Sequence, residues 1–158
     1  MADIFAKIGD ITGESADAKH KDEIEVQSFS WSVSNSGPGP AGSGAGVGKP
    51  SFHDLSFVHN IDKASPVLLQ ACARGTRFAD ATITHRKAGR TPLEFLIVKM
   101  SDVAVTAVAH GGTSGQLASE SVSLTFAKVD FEYRPQKADG SIDAGIHFKY
   151  DIANNKIG

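Results

Sequence analysis

Residues 19–33, KHKDEIEVQSFSWSV, lead from a polar loop into the most legible strand of the chain. Side chains of a strand alternate between its two faces. Here the alternation changes phase partway: Ile24 and Val26 share one parity, and Phe29, Trp31 and Val33 share the other. A one-residue slip exchanges the faces of everything beyond it, so a bulge or sharp bend is expected near Gln27 and Ser28. Bends of this kind let a sheet curl into a barrel. With the aromatic half turned inward, Phe29, Trp31 and Val33 are expected in the core, and Ser28, Ser30 and Ser32 outside it.

The same period of two recurs on either side. Residues Ala2 to Ile8 alternate and read as a first strand, and Gly9 to Asp22 as a polar loop. Beyond the opening stretch, SNSGPGPAGSGAGVGK (34–49) is low in complexity, with glycine at nearly every second position. It can form neither helix nor central strand, and a loop this long inside a compact domain is usually functional or disordered. Ser51 to His59 reads as one returning strand. A single helix follows, with Ser65 as N-cap, Pro66 at the first helical position, Leu68, Leu69, Ala71 and Cys72 as the apolar side, and Gly75 at the C-terminal stop.

Phe78 to Lys87 and Pro92 to Met100 flank Ala88-Gly89-Arg90 as a hairpin, and Val103 to Val108 continues in β-type residues. Glu120 to Arg134 is a long strand whose apolar phase slips from Val122, Leu124 and Phe126 to Val129, Phe131 and Tyr133, so a second bulge is expected there. Residues 138–141 form a turn. Ile146, Phe148, Tyr150 and Ile152 alternate in a last strand before a polar tail. The fold class is therefore all-β with one short α-helix, an antiparallel barrel of about eight or nine strands. Leu93 to Met100 is apolar on both faces, and outer apolar surface left over asks for a neighbouring subunit.

Composition narrows the function. The 158 residues suit one domain, spanning 1–158, with the glycine-rich loop at about 34–50 as its excursion. A net charge of −2 gives no case for nucleic acid, and no segment has the length and apolarity of a membrane span. Cys72 is the only cysteine, which excludes an internal disulfide. A single cysteine fits a chain folded in the cytoplasm, and since the N-terminus lacks the basic leader and apolar run of a signal peptide, any exit from the cell would need a dedicated machine.

Catalytic chemistry finds little support. Gly37, Gly39 and Gly42 spell G-x-G-x-x-G, but Pro38 and Pro40 interrupt it and no helix follows. Gly48-Lys49 resembles the end of a phosphate-binding loop, yet Ser43 stands where that motif needs glycine and Pro50 follows the lysine. His20, His53, His59, His85, His110 and His147 lack the paired spacing of a metal site and read as surface or loop residues. Cys72 reads as a small core residue. Asp22, Glu23 and Glu25 offer an acid/base pair in principle, but at a strand entrance they read as solvated charge. No catalytic, cofactor-binding or metal-binding residue is assigned. The alternative to a structural role is a stand-alone β-sandwich that binds carbohydrate on the rings of Trp31 and Tyr133.

Longer blocks carry more. GDITGESADAKHKDEIEVQSFSW, GKPSFHDLSF, IDKASPVLLQACARG and FEYRPQKADGSIDAG occur in order along nearly the whole chain. In them the sequence closely resembles the haemolysin-coregulated proteins, Hcp, of type VI secretion. The resemblance implies a β-barrel with a flanking helix, assembled into hexameric rings that stack as the inner tube of a contractile injection device. It implies effectors in the lumen, a sheath outside, a spike protein at the tip and no active site; no appended effector domain is expected. The serine row Ser28, Ser30 and Ser32 would then face the channel. The loop, through Gly39, Gly42, Gly44, Gly46, Val47, Gly48 and Lys49, would reach an adjoining subunit or ring.

Overall fold

A computed structural model describes residues 3–37, 48–89 and 92–158. Ala2 of the first expected strand and Arg90 of the hairpin connection lie outside them. The elements run β1 (Ile4–Ile8), β2 (Ile24–Val26), β3 (Ser28–Ser30), β4 (Val33–Asn35), β5 (Pro50–Phe52), β6 (Leu55–Asn60), α1 (Ser65–Arg74), β7 (Arg77–Lys87), β8 (Leu93–Gly111), β9 (Ser119–Tyr133), β10 (Ile146–Asp151) and β11 (Lys156–Ile157). All strand pairs are antiparallel. One nine-stranded sheet runs β11-β10-β9-β8-β7-β1-β2, with β3 on β6 and β6 on β9; β4 and β5 pair separately.

The bend expected at Gln27 and Ser28 is a change of partner. On one side of Gln27, β2 pairs with β1 (Ile24 opposite Ala6). On the other, β3 pairs with β6 (Phe29 opposite Phe57). The Gln27 N–H, which donates to the Val58 carbonyl at 2.8 Å, spans the seam. Among the described residues no ladder joins β2 to β6, so the sheet curls around one core without closing into the expected barrel. The core itself joins all the long strands: Ala6, Ile24, Leu55, Phe57, Val98, Val103, Val122 and Leu124 are wholly buried in one cluster.

The expected bulge in β9 is absent. Its pairing with β8 keeps one register on both sides of Ala127, with Phe126 opposite Val103 and Lys128 opposite Ser101. Inward side chains nevertheless switch parity there, from Phe126 to Val129. They switch at the same level in β8, from Val103 to Met100, where Asp102 takes a positive φ of 55°. A crease shared by neighbouring strands thus produces the phase slip without inserting a residue. The extra residues sit in β8 instead, where the registers shift opposite His85/Arg86 and between Val105 and Ala107.

Other corrections are local. Ser65 is the first helical residue and not the N-cap; its Oγ accepts from the Asp62 N–H at 3.1 Å, while Asp62 Oδ1 accepts from the Ala64 N–H at 2.8 Å. Leu69 points outward at 43% exposure, leaving Leu68 and Ala71 as the helix's buried apolar residues. Burying a leucine such as Leu68 is worth roughly 1.5–3 kcal/mol. Gly75 ends the helix at φ 67°, where a side chain would be strained, as expected of a C-terminal stop. The returning strand is broken into β5 and β6. Residues 152–158 fold back to pair Ile157 with Tyr150 and do not trail as a polar tail.

Candidate functional site

Away from the core, the sheet presents two different faces. Directly opposite residues in adjacent strands share a face. Ser28 lies opposite Val58, which lies opposite Ser121 and then Ala109; one step along, Ser30, Ser56, Ser123 and Ala107 form a second row. These rows point away from Phe57 and Leu124. Ser28, Ser30, Ala107 and Ala109 are exposed, and the other four half-buried. The result is a surface of small, uncharged side chains, tied internally by Ser56 Oγ and Ser123 Oγ at 2.8 Å. At its margin, the Thr106 hydroxyl donates to Asp54 Oδ2 at 2.5 Å.

Over β1, β7 and β8 the same side of the sheet is covered. Phe5, Thr84 and Ile97 form one cross-strand row on the face opposite the core, yet all three are buried. Residues 9–22 cross above them as a strap. Its ends are pinned by Gly13 N–H to Asp22 C=O (2.7 Å) and Ser15 N–H to Glu23 C=O (3.0 Å). The His20 ring stacks on Phe5 with centroids 4.5 Å apart, and the Arg86 guanidinium lies over that ring at 4.8 Å. Arg86 grips Asp17 with two bonds, of 3.0 and 2.5 Å. That grip, with the Lys19 and His20 N–H groups donating to the same carboxylate, pulls the Asp17 carboxyl down to about 2.

The serine row is thus found as expected: Ser28, Ser30 and Ser32 are all exposed. Their intended opposites are only partly inward. Phe29 and Trp31 are half-buried, and Val33 is 44% exposed in β4, which contradicts its placement in the core. Val33 leaves the curled sheet because β4 pairs with β5 as a separate ribbon. Trp31 packs between Phe52, Phe126 and Phe131 at centroid distances of 6.4, 6.1 and 6.2 Å, so it offers no open ring platform. Of the loop residues, Gly39, Gly42, Gly44, Gly46 and Val47 lie outside the described residues. Gly48 and Lys49 are held beside residues 35 and 36: Asn35 Nδ2 donates to the Gly48 carbonyl at 3.1 Å, and the Lys49 N–H to Ser36 Oγ at 3.1 Å. A side chain at Gly48 would collide with Asn35 and Gly37.

Sequence reasoning missed half of this face. Ser119, Ser121 and Ser123 alternate with Glu120, Val122 and Leu124 as regularly as the quoted serines do, and that alternation was the available signal. Two of the histidines are not surface residues. His20 is buried where the strap stacks on Phe5, and His59 is wholly buried beside a wholly buried Glu120. Asp22 and Glu25 are exposed, while Glu23 accepts from or pairs with His20 Nδ1 at 3.0 Å. Cys72 is half-buried against the core. Among the described residues no group of three or more His, Cys, Asp or Glu is arranged to hold a metal.

Comparison with known proteins gives the chain a family. Residues 5–133 match the family model described as type VI secretion system effector, Hcp. The protein Hcp1 of Pseudomonas aeruginosa is 48% identical over 156 residues, covering 97% of this chain and 96% of its own. The crystal structure of Hcp1 from Salmonella typhimurium superposes with a TM-score of 0.83 at 39% identity, covering all of both chains. A type VI secretion system effector from Yersinia pestis gives 0.78 at 36% identity, covering 94% of this chain and 99% of that one. On the matched residues and on the fold alike, the chain belongs to the Hcp family of type VI secretion.

Proposed function

We propose that this type VI secretion tube protein works by self-assembly into hexameric rings that stack as the inner tube, with the Ser/Ala face of β3, β6, β9 and β8 turned to the lumen. Effector proteins travel against that face. The sheath surrounds the tube, the spike protein caps its tip, and the arm rising from Gly48 and Lys49 engages an adjoining subunit or ring. The protein leaves the cell through the type VI apparatus. It inserts into no membrane, binds no nucleic acid and performs no catalysis.

The observation that carries this reading is the difference between the two outer faces. A wall that must let varied cargo pass favours small neutral side chains, which neither project nor offer charges for tight anchoring. The exposed rows Ser28/Ala109 and Ser30/Ala107 have that character, whereas exposed apolar residues such as Val67, Ile146 and Phe148 lie elsewhere and suit contacts with neighbours. The test is Ser30→Arg. Rings are expected to persist by electron microscopy while co-purified effector is lost; loss of the ring itself would assign this face to subunit packing.

A further inference from the structure

The end of the sheet beside α1 holds a cluster of ionisable groups that tube formation does not account for. His59 on β6, Glu120 on β9 and His110 on β8 are cross-strand neighbours on the core side. Glu120 is wholly buried and uses both oxygens: Oε1 lies 2.7 Å from His59 Nε2, and Oε2 lies 2.5 Å from His110 Nε2. These are the short separations of charge-assisted bonds. His59 is wholly buried as well. Its other nitrogen, Nδ1, has no hydrogen-bond partner among the described residues and faces Asp62 Oδ2 at 3.7 Å.

An imidazole has two ring nitrogens. In the neutral ring one is a donor and the other a bare lone pair; only the cation carries a proton on both. A neutral His59 would leave a buried lone pair facing a carboxylate, and would leave Glu120 a buried anion without a full counter-charge. Around the ring stand Glu120 from β9, His110 from β8 and Asp62 from the connection into α1. Glu14 from the strap adds a further negative charge near Asp62, its Oε2 accepting from the Lys63 N–H at 2.7 Å. Phe57 supplies an apolar wall 5.7 Å away. Two carboxylates, Glu120 and Asp62, therefore flank one buried ring, and Glu120 also holds a partly exposed one.

We propose that His59 is held as an imidazolium between Glu120 and Asp62, forming a proton-operated latch that ties the start of α1 to the ends of β6, β8 and β9. Losing that proton removes the only buried cation of the cluster and sets Glu120 against Asp62. His110, 38% exposed on the far oxygen of Glu120, is the route by which solvent protons reach the latch. Burial raises the Asp62 carboxyl, and Glu14 and Glu120 add to the rise, while the Ala64 N–H and the positive charge of His59 act to lower it.

The direct test is nitrogen-15 NMR of the histidine side chains in the intact protein near neutral pH. Protons on both His59 ring nitrogens are expected, and a single neutral tautomer would overturn the proposal. Thermal unfolding at fixed protein concentration supplies a second readout. The wild-type midpoint is expected to fall by about 3 °C or more between about pH 6 and about pH 9. Glu120→Gln, which keeps the shape and removes the counter-charge, should lose less than half as much. An equal loss in both proteins would equally reject the latch. If Glu120→Gln does not fold, the NMR result on the wild type decides alone.

Discussion

Where residues 9–22 cross β1, β7 and β8, the side of the sheet turned from the core is sealed. Over β3, β6 and β9 it is bare. The two regions share strands, twist and core, since β8 runs through both. Their side chains decide the difference. Phe5 and Arg86 give His20 and Asp17 of the strap something to stack on and grip, while the serine and alanine rows offer neither large apolar area nor charge. Covering one outer face adds a second layer of burial, and leaving the other bare preserves a surface that the isolated chain does not use.

The sharpest break in this comparison is Phe5→Ala. Phe5 points away from the core but is 1% exposed beneath the strap, so its truncation should cost as much as a core change, about 3–5 kcal/mol by chemical denaturation. A loss below about 1 kcal/mol would mean that the strap is only a surface loop.

Acid probes the clamp itself. Asp17 is held at about 2 in the folded protein, against about 3.9 in an unfolded chain, so the folded state binds fewer protons between these values. The clamp is then complete above about pH 4 and released as pH falls towards about 2. The amide resonances of Lys19 and His20, which donate to that carboxylate, should report the transition. Arg86→Met should move it up towards the ordinary carboxylate range. An unmoved transition would remove Arg86 as its cause.

The bare face should respond least to loss of a side chain. Ser121→Ala is expected to shift stability by no more than about 0.5 kcal/mol in thermal or denaturant unfolding. A larger cost would show that the serine rows serve the fold of the single chain.

Much of this contrast was written in period-two patterning. The change of phase between Val26 and Phe29 correctly marked a discontinuity at Gln27, and Ser28, Ser30 and Ser32 emerged on the exposed side. Patterning could not say that the discontinuity exchanges one pairing partner for another, because a bulge and a change of partner shift parity alike. In β9 a shared crease imitates a bulge for the same reason. The strap was legible as a loop but not as a cover: Asp17 and Arg86 lie 69 positions apart, and nothing local announces their grip. His59 and Glu120 were visible only as polar residues at core parity, a signal that composition alone would dismiss.

The proposed function rests on self-assembly with the bare face turned to a lumen, and an electron cryo-microscopy reconstruction of purified particles viewed down their axis measures it directly. A six-fold ring is expected, with Ser28, Ser30 and Ser32 on the wall of a central channel and the strap at residues 9–22 away from it. Particles that remain monomeric over a wide concentration range, or a ring that buries the serine rows between subunits or turns them outward, would contradict it.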